Sequence, residues 1–224
     1  DKQKMMAMAE RVYRDVAGAM ATGLGYLGAE SGLFAAMGGR GPMTLDEVVT
    51  ASGLVPRYVA EWLHGMVAAG YLDYDATAGT FELPAEHAYL LSAVGTDHYM
   101  AGMFGMPPPL LAQSSQLLRA MREGGGVPFA DFAPACRHAI DVMNRGNYDA
   151  RLVDYWLAQM PDVCARLAAG GEVLDVGCGH GYAAIAMARG FPASRITGVD
   201  PDPASIAEAR AAAAAAGAAA SAAR

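Results

Sequence analysis

The residues best suited to chemistry are two aspartates and three glycines in the last quarter of the sequence. In the stretch EVLDVGCGHGYAAIAMARG, Asp175 lies near the end of an apolar run, and Gly177, Gly179 and Gly181 separate that run from a second one. Asp200 ends the next apolar run, RITGVD. A strand that turns through glycines into a helix presents unpaired backbone N–H groups and the positive end of the helix dipole. The pattern therefore predicts a binding site for an anionic group.

Three interpretations of this loop compete. A nucleoside triphosphate would require the pattern GxxxxGK[ST], and no lysine follows these glycines. A dinucleotide such as NAD prefers GxGxxG, which Gly177 and Gly179 fit, but Tyr182 occupies the third position. Because dinucleotide folds also use an acid where Asp200 stands, NAD binding remains an alternative, as does a tight turn without a ligand.

The whole set resembles the first motif of class I S-adenosylmethionine-dependent methyltransferases, D-x-G-x-G-x-G, with Gly181 as its third glycine. The resemblance implies that Asp175 lies by the methionine amino group of the cofactor. It also implies that the backbone of Gly177, Cys178 and Gly179 approaches the carboxylate and sulfonium end. S-adenosylmethionine is therefore the cofactor that we expect.

The same resemblance implies roles at the adenosine end. Asp200 is expected to hold the two ribose hydroxyls, a bidentate task that suits a carboxylate, and Pro201 is expected to lie against the adenine. Within the loop, His180 is expected to be an exposed residue, and Cys178 is expected to be present for its small size.

The catalytic residue cannot be assigned from the sequence. Methyl transfer is a direct displacement at a carbon made electrophilic by the sulfonium, so the protein mainly supplies alignment and a dry pocket. A hydroxyl acceptor also requires a base, often histidine. His138 is a candidate, but the next carboxylate along the chain is Asp141, and a histidine on a surface or helix face is favoured.

The elements that precede the loop begin with a readable unit, GPMTLDEVVTASGLVPRYVAEWLHGMVAAGYLDYDATAGTFELP. Thr44 and Glu47 have the spacing of a capping box, Gly53 ends that helix, and Pro56 begins a second one. The stretches YLDYD and TFELP alternate as the two strands of a hairpin. Helix, turn, helix and hairpin predict a winged helix.

Residues 5–37 predict two helices or one broken helix, either in the core or at a dimer interface.

The charge of this unit argues against a nucleic-acid partner. Over residues 1–100, Lys and Arg number 6 and Asp and Glu number 12. The second helix carries Glu61, and the hairpin carries Asp73, Asp75 and Glu82, all of which would repel phosphates. We therefore expect the winged helix to serve dimerisation or substrate enclosure, with a homodimer formed through the N-terminal helices.

Composition narrows the class of protein. The 224 residues are 54% hydrophobic with a net charge of −7, which is typical of a globular protein. The three cysteines form no CxxC or Cys/His cluster, so neither a metal site nor a disulfide framework is predicted. No secretory signal or membrane-spanning stretch is visible. A cytoplasmic location is expected.

The middle of the chain predicts a helical linker. Residues 97–165 read as mostly helical, interrupted by MPPPL and EGGGVPF. Its aromatic and methionine residues are typical of a core, but they also suit the wall of a pocket for an apolar or aromatic molecule. The candidates for that wall are Phe129, Met143, Tyr148, Tyr155 and Trp156.

The predicted fold class is mixed. A winged-helix or dimerisation domain covers residues 1–95, a helical linker that lines the pocket covers 96–165, and a partial α/β Rossmann-like domain that binds S-adenosylmethionine covers 166–224. The order of these parts resembles small-molecule O-methyltransferases of the plant and bacterial natural-product type, and a group of bacterial winged-helix methyltransferases. It implies methyl transfer to a small, apolar or aromatic substrate. The alternatives are a winged-helix ligand-sensing regulator, an NAD-binding protein and a dimerisation module.

The catalytic fold is expected to be incomplete. The residues after the loop have room for two strands and two helices, whereas a class I domain has seven strands. The third strand is expected to be absent, and the stretch RAAAAAAGAAASAAR is predicted as a helix or as the end of a fragment. We therefore expect a piece of a longer enzyme, truncated after the second strand.

Overall fold

The computed structural model describes residues 1–132, 135–217 and 220–223, and the chain divides into two units. The first unit contains residues 1–94 and 99–118, and the second contains residues 95–98 and 119–224. The domain boundaries expected at 95 and 165 remain a prediction.

The first unit is built mainly of helices. These are α1 (Lys2–Glu30), α2 (Leu33–Met37), α3 (Leu45–Ser52), α4 (Pro56–Ala68), α5 (Ala85–Leu91), a 3-10 helix (Ala101–Gly105), α6 (Pro107–Ala112) and the start of α7 (Ser114–Glu123). The break between α1 and α2 gives two helices, the first of the two alternatives predicted for residues 5–37. The prolines expected to interrupt a helix instead open α6, because proline at the first helical positions gives up N–H groups that have no intrahelical partner.

The winged helix is confirmed in detail. Thr44 and Glu47 form the complete capping box of α3. Gly53 ends α3 in the left-handed conformation, with φ of 69°. The hairpin pairs β2 (Asp73–Asp75) with β3 (Thr80–Glu82), and a short strand that the sequence did not predict, β1 (Met43–Thr44), adds to the other side of β3.

Glycines in α1 allow close packing of the winged-helix core. A Cβ on Gly28 would lie 2.5 Å from the Trp62 ring, and one on Gly25 would lie 2.7 Å from the Phe104 ring. The Trp62 indole N–H donates to the carbonyl oxygen of Leu24 over 2.8 Å. The C-terminal end of α1 therefore packs into the core, which was one of the two alternatives for this segment.

The N-terminal two thirds of α1 expose a run of apolar side chains. These are Met5, Met6, Met8, Val12, Tyr13, Val16 and Met20. Within the described residues, no helix is both long enough and apolar enough to cross a bilayer.

The second unit begins with a helical stretch and continues into a parallel sheet. The helical elements are the end of α7, a 3-10 turn (Phe129–Phe132), α8 (Ala135–Asn147), a π-helix (Tyr148–Trp156), a 3-10 turn (Leu157–Gln159), α9 (Pro161–Ala168), α10 (Tyr182–Gly190) and α11 (Pro203–Ala215). The strands are β4 (Glu172–Val176), β5 (Arg195–Val199) and β6 (Ala220–Ala223), in the order β4-β5-β6.

Strand β6 corrects the expectation that the third strand is absent. It pairs in parallel with β5, with Ile196 opposite Ala220. The alanine-rich stretch thus holds both the end of α11 and a strand, separated by Gly217 in the left-handed conformation. Alanine favours helix over strand, and the hydrogen bonds of the ladder to β5 override that preference.

The described core of the second unit lies between α10 and the sheet. Ile196 is fully buried against Ala184 and Ala188, with Val173 and Met187 packed beside them. On the edge strand β4, by contrast, Leu174 is 60% exposed and Val176 is 75% exposed.

Candidate functional site

The glycine loop lies between β4 and α10, and each of its glycines is needed for its shape. Gly177, Gly179 and Gly181 have φ values of 77°, 52° and 77°, a region that favours glycine. Gly181 is also the N-cap of α10, and a Cβ there would lie 3.2 Å from the Cβ of Ala209. The N–H groups of Gly177 and Cys178 donate to the carbonyl oxygen of Val199, which ties the loop to β5. These two groups are therefore not the unpaired N–H donors that the sequence predicted for an anion.

Cys178 packs inside this arrangement. A Cβ on Gly198 would lie 2.8 Å from the Cys178 Sγ, so strand β5 must carry a glycine opposite the loop. Burial, followed by the charges of Asp175 and Asp200, raises the pKa of the Cys178 thiol. Cys178 is therefore placed as a packing residue, which agrees with the expectation that its small size matters.

Asp200 joins the loop to the end of β5. One carboxylate oxygen accepts from the N–H of Gly179 over 2.9 Å, and the other accepts from the N–H of Asp202 over 2.9 Å. The carboxylate is thereby fixed in orientation, and lone pairs remain on both oxygens. The structure thus brings together the loop glycines and the acid of the next strand.

Asp175 presents a buried carboxylate oxygen, Oδ2, that has no hydrogen-bond partner among the described residues. Burial raises the pKa of Asp175, and the nearby charge of Asp200 raises it further. A buried, unpaired carboxylate oxygen is costly unless a donor or a cation satisfies it. The site therefore fits a ligand that brings a cationic donor to Asp175.

A cavity of about 470 Å³ adjoins the carboxylate of Asp200. Pro201, Pro203 and Ile206 give it an apolar wall, and Arg210 completes its lining. A flat, largely apolar group such as a nucleobase fits this wall beside a carboxylate that can accept from hydroxyls.

Among the five predicted substrate-pocket residues, Tyr148 lies close enough to the loop for the charge of Asp175 to affect its pKa. Burial raises the pKa of Tyr148, as do the charges of Asp175 and Asp141. Trp156 packs edge-on against Tyr148 at 6.4 Å between ring centres. Of the remaining three candidates, Met143 is partly buried on α8, whereas Phe129 and Tyr155 are exposed. The assignment of all five to the substrate stays a prediction.

His180 was expected to be exposed, and that expectation is wrong. Its side chain is only 9% exposed. The Nδ1 atom is hydrogen-bonded to Asp141 Oδ2, and Nε2 lies 3.3 Å from Glu208 Oε2, outside hydrogen-bond geometry. Asp141, on α8, thus pairs with His180 rather than orienting His138, which is exposed. Because the two partners are 39 residues apart in sequence, no local pattern could have revealed the pair.

A second ion pair connects α8 to the same region. Arg137 Nη1 lies 2.9 Å from Asp202 Oδ2, and both side chains are largely buried. Asp202 is also the N-cap of α11, where it accepts from the N–H groups of Ala204 and Ser205. Helix α8 is therefore fastened beside the loop at two points one helical turn apart, Arg137 and Asp141.

Comparisons with known proteins agree with this geometry. Residues 18–93 match the family model described as an Rv2258c-like winged HTH domain, and residues 173–224 match the model described as a methyltransferase domain. No curated protein matches the chain in sequence.

Several solved structures share the fold. The mitomycin 7-O-methyltransferase MmcR is 20% identical, with a TM-score of 0.67 over 99% of this chain and 66% of its own. Human N-acetylserotonin methyltransferase, solved with S-adenosylmethionine, is 20% identical, with a TM-score of 0.60 over 91% of this chain and 62% of its own. The calicheamicin-biosynthesis methyltransferase CalO1, solved with S-adenosylhomocysteine, is 18% identical, with a TM-score of 0.59 over 91% of this chain and 61% of its own.

At these identities the similarity shows the fold alone, and the chain spans just under two thirds of the length of each of the three structures. The fold and the two matched models nevertheless agree on the order of the parts. The chain therefore shares the fold of these methyltransferases, with an N-terminal winged helix followed by a partial α/β methyltransferase domain.

Proposed function

We propose that the glycine loop of this chain binds S-adenosylmethionine, and that the protein transfers the methyl group of this cofactor to a small, apolar or aromatic molecule. The observation that carries the proposal is the buried Asp175 Oδ2, which lacks a hydrogen-bond partner among the described residues beside a loop shaped by three left-handed glycines. Of the ligands considered, S-adenosylmethionine is the one that brings an ammonium group, a carboxylate and a ribose together.

The residues fit the cofactor group by group. Asp175 would receive the ammonium. The loop at Gly177, Cys178 and Gly179, whose own N–H groups are held by Val199 and Asp200, would lie along the amino-acid end of the cofactor. Asp200 would accept from the ribose hydroxyls, and the apolar wall at Pro201 would take the adenine. When bound, the cofactor supplies a methyl group made electrophilic by the sulfonium. The chain contributes alignment and exclusion of water.

The NAD alternative fits less well. A pyrophosphate at the loop would lie close to the Asp175 carboxylate, and like charges in a partly buried site repel strongly. The same carboxylate attracts an ammonium group. Asp175, rather than the shared acid Asp200, therefore favours the adenosyl amino acid over the dinucleotide.

A regulator that reads DNA is also disfavoured. On α4, Arg57 is engaged by Glu61 at 3.0 Å, and the strand β2 exposes Asp73 and Asp75. A phosphate approaching this surface would meet two carboxylates and an arginine that is already paired.

The cofactor assignment is tested by titrating S-adenosylhomocysteine into Asp200→Ala and Asp200→Asn variants by calorimetry. Alanine removes both acceptors, so the affinity should fall roughly 100-fold or more, since each charge-assisted hydrogen bond contributes about 1.5–3 kcal/mol. Asparagine keeps one acceptor and should give an intermediate loss. Asp73→Asn, in the exposed hairpin, is the matched control and should bind like the wild type. Unchanged affinity in Asp200→Ala would overturn the assignment.

For the assembly, we propose a homodimer formed through the exposed apolar run of α1 defined above. Burying such a run against its copy would remove it from water, and interfaces of this kind are typically rich in apolar and methionine side chains. Light scattering on Val12→Glu/Val16→Glu should give a monomer. The matched control Arg14→Gln should keep the mass of the dimer. A monomeric wild type would refute the proposal.

The three cysteines are free, which suits a reducing compartment, and we propose a cytoplasmic location on that ground.

A further inference from the structure

A buried imidazole connects three elements of the second unit. His180 belongs to the glycine loop, Asp141 lies on α8, and Glu208 lies on α11. The imidazole is hydrogen-bonded to Asp141 through Nδ1, and its Nε2 lies 3.3 Å from Glu208 Oε2 without a hydrogen bond. A buried histidine placed between two acids from other elements is more than a space-filling side chain, because its removal would leave the partly buried Asp141 without its histidine partner.

The electrostatic surroundings of Asp141 show how much it depends on His180. Burial raises the pKa of Asp141, and the charge and hydrogen bond of His180 are the largest opposing effects. The charge of Glu208 raises the same pKa further, and that of His138 lowers it. On the other side, the His180 ring lies edge-on to Tyr182, over which the Arg145 guanidinium sits at 5.0 Å.

The position of His180 links this cluster to the cofactor loop. It lies between Gly179, whose N–H is held by Asp200, and Gly181, the N-cap of α10. Backbone freedom at two flanking glycines would leave this part of the loop mobile. The bond between His180 and Asp141 removes that freedom, because Asp141 belongs to a helix that is also held by the pair between Arg137 and Asp202.

We propose that His180 is a positioning residue of the cofactor site: its Nδ1 bond to Asp141 holds the glycine loop against α8, so that the loop is in its binding conformation before the cofactor arrives. This inference rests on the proposed function for the identity of the ligand. The latch between the loop and α8 can be tested without a ligand.

Two substitutions of similar size test the roles of the two ring nitrogens separately. The amide nitrogen of His180→Asn falls near the place of Nδ1 and can donate to Asp141. The amide of His180→Gln falls near the place of Nε2 and reaches towards Glu208 instead. Hydrogen exchange of the ligand-free protein should therefore show amides of α8 protected in His180→Asn and in the wild type, and more rapidly exchanging in His180→Gln.

Cofactor affinity supplies the second measurement. Calorimetry should show that the affinity of His180→Asn for S-adenosylhomocysteine lies within about threefold of the wild-type affinity. The affinity of His180→Gln should be roughly 10- to 100-fold lower, the range for losing one charge-assisted hydrogen bond. His64→Ala is the matched control, since it removes an exposed imidazole from the winged helix and should change neither measurement.

Each outcome decides the inference. Exchange of the α8 amides in His180→Gln at the wild-type rate would show that the latch does not exist. Faster exchange in His180→Gln with unchanged affinity would show that the latch does not position the cofactor loop. If the wild type itself fails to bind S-adenosylhomocysteine, the proposed function and the positioning role fail together, while the exchange data still decide whether the latch exists.

Discussion

Replacing Asp175 by asparagine should weaken binding of the cofactor and stabilise the ligand-free protein. The two effects have one cause: the carboxylate is held partly buried beside Asp200, and burial and the charge of Asp200 raise its pKa. Its Oδ2 atom has no hydrogen-bond partner in the described part of the chain. The buried charge lowers the stability of the ligand-free protein, and the same charge attracts a cationic group of the ligand. A residue with only a structural role would not combine a loss of binding with a gain of stability.

The expected loss of affinity follows from the type of contact. A charge-assisted hydrogen bond between an ammonium and a carboxylate contributes about 1.5–3 kcal/mol, so Asp175→Asn should weaken S-adenosylhomocysteine roughly 10- to 100-fold at neutral pH. The wild type should also lose affinity as the pH falls through the raised pKa of Asp175, because protonation removes the charge that attracts the ammonium. Asp175→Asn should lack this part of the pH dependence.

The effect on stability has the opposite sign. Because the pKa of Asp175 is higher in the folded state than in the unfolded state, the folded state binds the proton more tightly. Stability is therefore lost as the pH rises from the unfolded pKa through the folded pKa. Asparagine removes this loss, so Asp175→Asn should melt at a higher temperature than the wild type at neutral pH, with the gap narrowing in acid.

The assay combines calorimetry with thermal unfolding, each at about pH 5 and about pH 8. The exposed Asp75→Asn in the hairpin controls for the loss of one negative charge. If Asp175→Asn bound S-adenosylhomocysteine as tightly as the wild type at the higher pH, or melted at a lower temperature there, the role given to Asp175 would be refuted.

Two further predictions concern stability. Gly181→Ala should destabilise the second unit by about 1–2 kcal/mol, because the left-handed φ of 77° is unfavourable for alanine and its Cβ would lie 3.2 Å from Ala209. Urea unfolding measures this change, and an unchanged midpoint would contradict the prediction. Thr44→Ala should destabilise the first unit by about 1 kcal/mol through loss of the capping box while leaving S-adenosylhomocysteine affinity unchanged, and Thr44→Ser should restore the stability; a stable alanine variant would contradict the capping role.

Local patterns in the sequence were enough to predict the winged helix and the glycine loop. Thr44 and Glu47 are three residues apart, and Gly177 to Gly181 are contiguous with the strand and helix that they connect. Where the chemistry is set by neighbours in sequence, residue type and spacing define the backbone geometry directly.

Long-range contacts account for what the sequence did not reveal. The pair between His180 and Asp141 depends on how α8 lies beside the loop, and a polar histidine between glycines reads as exposed until that packing is known. Strand β6 depends on hydrogen bonds to β5 that an alanine run does not signal. In both cases tertiary structure overrides a local tendency.

The most direct test of the central claim is a titration of S-adenosylhomocysteine and of NAD, separately, into the wild-type chain by calorimetry. We expect saturable binding of one S-adenosylhomocysteine per chain, with no heat of binding for NAD. Binding of NAD in preference to S-adenosylhomocysteine, or binding of neither, would contradict the claim that this loop holds the adenosyl cofactor.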